Sequence, residues 1–205
     1  MAIPPAIVFD LGKVLVDFDY SIAARRLASR GKLATDQIRA FIDQSPLLFK
    51  LESGELSVDR FFEEVCRATG FCGSFEEFAA FFADIFVPID PMVQLHANLR
   101  SHGFRTFIFS NTNDLAIRHI RRNFPFFNDF DGYILSYEHG AMKPDPKLYE
   151  VVELQTGSRG PEILYLDDRQ ENIVAGKNRG WQVLLHEAPE QTRTAIQKLG
   201  LLPAP

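Results

Sequence analysis

The chain has 205 residues, 46% of them hydrophobic and 24% charged, with a net charge of −5. That length suits one domain with a modest insertion, and that balance excludes a disordered or fibrous chain. The acidic charge excludes a general nucleic-acid binder, which needs a basic surface to neutralise phosphates, but leaves room for a small phosphorylated substrate at a local positive site.

The first segment, Met1 to Val16, has no basic leader or small-residue cleavage site, so no signal peptide is expected. No apolar run approaches a bilayer span; no membrane contact is expected, and the cytoplasm is the expected location. Within this segment Ala6-Ile7-Val8-Phe9 reads as a strand buried on both faces, ending in the polar break Asp10-Leu11-Gly12-Lys13.

Residues 17–90 interrupt the pattern with several helices and no clear strand. Ten of the nineteen phenylalanines fall between Phe41 and Phe86, enough for a separate apolar core. Phe75, Phe78, Phe82 and Ile85 share one helical face, best explained by packing. Gly54 and Gly70 mark turns. Cys66 and Cys72 form no CxxC pair and read as buried or half-buried thiols in a reducing compartment.

From residue 91 onward strands and helices alternate. The apolar runs Phe104–Phe109, Tyr133–Leu135, Ile163–Leu166 and Val183–Leu185 are separated by helical patterns at 92–101, 113–123, 145–156 and 172–179. Alternation of this kind predicts an α/β fold: a Rossmann-like parallel sheet with helices on both faces, here with an inserted helical cap. The core is expected at residues 1–16 and 91–205, the cap at 17–90.

Ligands of such sheets bind at the carboxyl ends of the strands. Asp10 follows the first strand, Ser110 and Asn111 the second, and Asp167 and Asp168 the fourth; Lys143 lies in a loop before a helix. Carboxylates are preferred ligands of a hard cation such as Mg²⁺. A carboxylate held against a phosphate can act as nucleophile. The Ser110 hydroxyl and nearby backbone N–H groups can bind phosphate oxygens, and Lys143 can neutralise charge. The histidines, His96, His102, His119, His139 and His186, lack ligand spacing and read as surface or packing residues.

The motifs themselves resemble those of the haloacid dehalogenase superfamily. Phe9-Asp10-Leu11-Gly12-Lys13-Val14-Leu15 resembles its first motif, Phe109-Ser110-Asn111-Thr112-Asn113 its second, Met142-Lys143-Pro144-Asp145 its third and Leu166-Asp167-Asp168-Arg169-Gln170-Glu171-Asn172 its fourth. They occur in order across nearly the whole chain, and the insertion lies where the family places a C1 helical cap. The Asp-Leu-Gly opening is similar to that of bacterial phosphatases, including a glucose-1-phosphate phosphatase. The resemblance implies Asp10 as nucleophile and Mg²⁺ ligand, with the Gly12 carbonyl, Asp167 and Asp168 completing the metal site. It implies Ser110, Asn111 and Lys143 as phosphate-binding groups and Asn172 as an organiser of the fourth loop.

One position departs from the family pattern. Phosphatases of this type usually carry a second Asp two residues after the nucleophile as general acid and base; here Gly12 stands there, followed by Lys13. Asp17 and Asp19 are candidate substitutes. Glycine at position 12 also suggests a backbone angle that a larger residue tolerates poorly. The expected activity is a Mg²⁺-dependent phosphomonoester hydrolase with an aspartyl-phosphate intermediate, acting on a small metabolite such as a sugar phosphate. Two alternatives stay open: a 2-haloacid dehalogenase-like hydrolase, and a phosphate-binding protein with weak or lost turnover. Specificity is expected from the stretch Phe49 to Glu55.

Overall fold

The computed structural model describes residues 6–203, so residues 1–5 of the first core segment and 204–205 of the second lie outside the described residues. The core elements are β1 (Ala6–Phe9) and, after the insertion, α6 (Asp90–Ser101), β4 (Arg105–Ser110), α7 (Asp114–Asn123), β5 (Gly132–Leu135), α8 (Ser136–His139), α9 (Pro146–Thr156), β6 (Ile163–Asp167), α10 (Gln170–Asn178), β7 (Gln182–Leu185) and α11 (Pro189–Lys198). The strands pair in the order β5-β4-β1-β6-β7, every neighbour parallel. This is the α/β, Rossmann-like sheet expected. Alternation along β1 shows why both faces need helices. Ile7 and Phe9 pack with Met92, Leu95, Ile117 and Ile120 on one face. Ala6 and Val8 pack with Leu148, Tyr149 and Trp181 on the other.

β4 and β6 each run one residue further than their apolar runs suggest, and include Ser110 and Asp167. Both polar residues still pair across the ladder, Ser110 with Leu135 and Asp167 with Leu185. A polar side chain at a strand end does not interrupt backbone hydrogen bonding, so these groups are fixed by the sheet, not by loops.

The insertion contains α1 (Tyr20–Ala28), α2 (Thr35–Ile42), α3 (Pro46–Glu52), α4 (Val58–Thr69) and α5 (Phe75–Ala83). Asp19, Ser45, Ser57 and Ser74 cap four of them by accepting backbone N–H bonds. These helices close over a cluster that includes Leu27, Ile38, Phe61, Val65, Phe78 and Phe82. α5 ends at Ala83, so Ile85 lies past it, yet Ile85 is buried in the same cluster. Contrary to the expectation of no strand, β2 (Val16–Phe18) and β3 (Phe86–Pro88) form an antiparallel ribbon where the chain enters and leaves the insertion. Three residues a side are too few for alternation to show in sequence. Cys66 is half-buried, but Cys72 is exposed rather than sequestered, because it sits in the loop between α4 and α5. No helix among the described residues is long and apolar enough to cross a membrane.

His96 on α6 is a buried packing residue. Its ring stacks on Phe130 with centroids 3.9 Å apart, and Nε2 lies 3.0 Å from Thr106 Oγ1. Burial pushes its pKa down to about 4. The unfolded chain therefore binds the extra proton first: the histidine's contribution is fully present above about pH 6.5 and is lost as pH falls towards 4. Urea unfolding of the parent should lose ~2 kcal/mol more between pH 7 and pH 4.5 than His96→Gln does. An equal acid-induced loss in both proteins would show that His96 is not responsible.

Candidate active site

Three adjacent central strands deliver the polar groups. β1 lies between β4 and β6, with Phe9 in register with Ile108 and Leu166. The Asp10 N–H continues the ladder by donating to Leu166 O at 2.8 Å, which sets Asp10 beside the end of β6. Lys143 enters from the loop before α9. Its Nζ is buried and lies 3.0 Å from Asp10 Oδ1 and 2.6 Å from Asp167 Oδ2, and it donates to Phe109 O at 2.9 Å. Burial acts to lower the Lys143 pKa, but the two carboxylates outweigh it and hold the ammonium above its usual range.

Asp167 is surrounded by donors. Besides Lys143 it accepts from the Tyr165 hydroxyl, from Arg169 N–H at 2.8 Å and from Asn172 Nδ2 at 3.0 Å. Burial raises its carboxyl pKa, yet Lys143 and these hydrogen bonds bring it below the usual range. Asp10 goes the other way: burial, with the nearby Asp167 and Asp168 charges, keeps its pKa well above normal despite Lys143. Asp168 is raised too, first by burial and then by Asp167. Tyr165 was missed in the sequence. It stands two residues before Asp167 on one strand, hence on the same face, and that spacing was a usable signal.

Oxygens of Asp10, Asp167 and Asp168 lie within 4.8 Å of one another. Three carboxylates against the single Lys143 ammonium leave two negative charges when all are ionised. An all-oxygen donor set with that charge fits a hard dication such as Mg²⁺. Burial first, and the crowding of the three carboxylates second, raise Asp10 and Asp168.

Ser110 is buried at the end of β4, its hydroxyl only loosely held by Asn111 O at 3.3 Å. Asn111, expected at the phosphate, lines the same cavity as Ser110, and its amide is engaged with the backbone of Lys143. Its Oδ1 accepts from Lys143 N–H at 2.7 Å and its Nδ2 donates to Lys143 O at 3.1 Å. The amide thus clamps the backbone of the lysine and aims its side chain. Asn172, expected to order the fourth loop, does bond Asp167. At position 12 the reason for glycine is steric and not a matter of backbone angle. The left-handed residue is Lys13, with φ 60, whereas a Cβ on Gly12 would meet Phe18 Cε1 at 2.9 Å.

Asp10, Gly12, Ser110, Asn111, Lys143 and Asp168 line a cavity of about 660 Å³, reached also by Tyr20, Arg39, Asp43, Leu48, Phe49 and Glu52 from the inserted segment. Such a volume suits a small ligand. Asp17 and Asp19, the candidate substitutes for a missing acid, line it as well, but both are committed elsewhere. Asp17 pairs with Lys13, and Asp19 caps α1 through Ser21.

The chain is similar to known hydrolases. The profile of the haloacid dehalogenase-like hydrolase family matches residues 4–180. A D-ribitol-5-phosphate phosphatase of Bacteroides thetaiotaomicron is 27% identical over 188 residues, 88% of this chain and 91% of the relative. A sesquiterpene phosphatase of Aspergillus oryzae is 27% identical over 178 residues, 85% of this chain and 86% of the relative. Among solved structures, a HAD-like hydrolase from Porphyromonas gingivalis superposes with a TM-score of 0.82 at 25% identity, covering 97% of this chain and 98% of that one. A Bacteroides thetaiotaomicron enzyme of the HAD family, crystallised with magnesium and inorganic phosphate, gives 0.79 at 22%, covering 91% and 96%.

The buried ammonium carries a stability consequence. Lys143→Met would leave the carboxylates without their counter-charge, and breaking a buried pair from one side typically removes about 3–5 kcal/mol. The loss should be largest near pH 8 and shrink towards pH 5, where Asp10 and Asp167 can take up protons instead. Denaturant melts of parent and variant at both pH values check this; coincident curves at pH 8 would contradict it.

Proposed function

This chain belongs to the haloacid dehalogenase-like hydrolases, and we propose that it is a Mg²⁺-dependent phosphomonoester hydrolase that works through an aspartyl-phosphate on Asp10. The observation that carries this reading is the buried Asp10 carboxylate, held by Lys143 at the floor of a cavity and flanked by two further carboxylates. A nucleophile in that position needs no activation by a base; it needs orientation and a neutralised surrounding.

Each group has a role. Asp10 attacks phosphorus through one oxygen. Ser110 Oγ, loosely bonded in the structure, is the hydroxyl available to phosphate oxygens, and the Lys143 ammonium offsets negative charge as the phosphoryl group transfers. Asn111 positions Lys143 and contributes backbone to the phosphate pocket. Asp10, Asp168 and the Gly12 carbonyl would hold Mg²⁺, which supplies Lewis-acid charge stabilisation when bound. Asp167 already has four donors around its two oxygens, so it supports the metal through water and orients Lys143. Residues 17–90 act as the cap over the core at 1–16 and 91–205, excluding bulk water from the transfer.

The substrate we infer is a small phosphorylated polyol or sugar. The cap side of the cavity offers Arg39, Asp43 and Gln44, groups able to bond hydroxyls, and a ribitol-phosphate phosphatase is among the relatives. A panel of phosphate monoesters, assayed with and without Mg²⁺ and spanning polyol, sugar and isoprenoid esters, tests the reading. Metal-dependent release of phosphate, highest for hydroxylated esters, is expected. Metal-independent turnover of a 2-haloacid, with none of any ester, would replace this reading with dehalogenation.

Two substitutions refine the test. Asp10→Asn should reduce phosphate release by at least about 10⁴-fold with the fold retained, because an amide is neither a nucleophile nor an anionic ligand. Hydrolysis persisting in a rigorously purified variant would remove Asp10 from that role. Asp168→Ala should weaken Mg²⁺ by at least about tenfold in calorimetry, since the site has few protein ligands. Equal affinity in variant and parent would place the metal elsewhere.

A further inference from the structure

The phosphatase reading leaves a proton without a donor. An alkoxide leaving phosphorus must be protonated, and the water that later attacks the aspartyl-phosphate must lose a proton. Gly12 has no group for either task, and Phe18 fills the space where a side chain would go. Asp17 and Asp19 are exposed and held below the usual carboxylate range, Asp17 by Lys13 and Asp19 by Ser21, so neither retains a proton to give. Asp43 pairs with Arg39 at 3.3 Å.

Glu52 differs from all of these. It is the last residue of α3, lines the same cavity as Asp10, Ser110 and Lys143, and its carboxyl makes no hydrogen bond or ion pair among the described residues. Its backbone, in contrast, is tied to the core. Ser136 Oγ donates to Glu52 O at 2.5 Å and accepts Thr112 N–H at 2.9 Å. Two residues on, Gly54 has φ 75 and approaches so closely that a Cβ would lie 2.3 Å from Tyr137 O. Only glycine permits this contact. The chain therefore spends strong constraints on docking the end of α3 against the strand ends, and leaves one acid unpartnered at that point.

We propose that the Glu52 carboxyl is the general acid and base of this active site, supplied by the inserted helices in place of a side chain at position 12; the proposal rests on the phosphatase reading above. In the first step an Asp10 oxygen bonds to phosphorus, the bond from phosphorus to the ester oxygen breaks, and that oxygen takes the Glu52 proton, giving the free alcohol and the aspartyl-phosphate. In the second step water oxygen bonds to phosphorus, its proton passes to Glu52, and the bond from phosphorus to Asp10 breaks. Phosphate leaves, and both carboxyl groups return to their starting states.

The surroundings suit a group that works in both directions. Burial pushes the Glu52 pKa up to about 7, with the positive charge of Arg169 offsetting part of the rise. Both protonation states are thus populated near neutral pH, which is where a two-way acid and base is most effective. Of the neighbouring ionisable groups, buried Tyr20 on α1 is driven well above its usual range, first by burial and then by the Glu52 charge, and stays neutral. Arg39 and Asp43 at the end of α2 are paired with each other.

The test is Glu52→Gln, which keeps the shape and the backbone bond to Ser136. Release of alcohol in the first turnover is measured with Mg²⁺ for an aryl ester, 4-nitrophenyl phosphate, and for an alkyl ester such as glycerol 3-phosphate. Phenolate leaves without help, so the aryl rate should fall less than about tenfold; the alkyl rate should fall on the order of a hundredfold or more. The limb of the alkyl pH–rate profile near 7 should disappear. Equal losses on both esters, unchanged rates, or a raised KM with kcat intact would overturn the proposal and leave Glu52 as a packing or binding residue. If Glu52→Gln does not fold, Glu52→Ala is read in the same assays. Restoration of its alkyl rate by added acetate or formate supports the proposal, and no restoration overturns it. The parent arm separates the two readings: no Mg²⁺-dependent release from either ester would sink the phosphatase reading itself.

Discussion

A single buried ammonium organises the floor of this molecule. Lys143 Nζ stands between Asp10 and Asp167 and cannot be there uncompensated, because an isolated buried charge is strongly unfavourable. The requirement is mutual: without the ammonium the two carboxylates would repel. Everything around it keeps the bridge in place. The β4-β1-β6 order brings the three strand ends together, Phe109 O accepts a further hydrogen bond from the ammonium, and Asn111 holds the lysine backbone by both its N–H and its C=O. Four sequence motifs far apart in the chain are thus one electrostatic unit.

The inserted helices obey a different constraint. Their core is largely aromatic and aliphatic, built from Phe61, Phe78 and Phe82 with Leu27 and Val65. Contact with the core is made at a few points. Leu115 of α7 joins the cap cluster, Ser136 bonds the end of α3, and the β2-β3 ribbon couples the two chain crossings. Phe18 in that ribbon packs over Gly12 and receives the Lys13 ammonium over its ring at 4.6 Å. Position 12 is thereby part of the joint between insertion and core.

Much of this was legible in the chain itself. Continuous apolar runs ending in Asp10 and in Asp167-Asp168 gave the parallel sheet and its polar rim, because a strand buried on both faces has no polar residue to interrupt it. What escaped depends on partners distant in sequence. The β2-β3 ribbon pairs segments separated by the whole insertion, with three residues a side. Asn111 looks like a ligand-binding amide; that it also clamps the Lys143 backbone depends on a loop far along the chain. Gly12 looks like a demand for backbone freedom, whereas the demand comes from the Phe18 ring. Glu52 reads as an ordinary helix-terminal carboxylate in Lys50-Leu51-Glu52-Ser53-Gly54; its half-buried place on the cavity wall arises only when α3 docks on α8.

That docking has a consequence for when chemistry can occur. An acid carried two residues after the nucleophile would accompany it in every conformation. An acid carried by α3 is present only while the insertion is seated. Phosphoryl transfer to Asp10 and attack by water would then both require the seated state, and an aspartyl-phosphate exposed by an open cap would have no positioned base to drive its hydrolysis. Substrate groups that help seat α3 against Ser136 and Tyr137 would raise the reaction rate and not merely the affinity, because their binding energy would assemble the acid as well as hold the ester. Selectivity in such an enzyme resides in the contact between the two units: a phosphate ester that fills the floor but does not engage the helices above it would bind as a phosphate and turn over poorly.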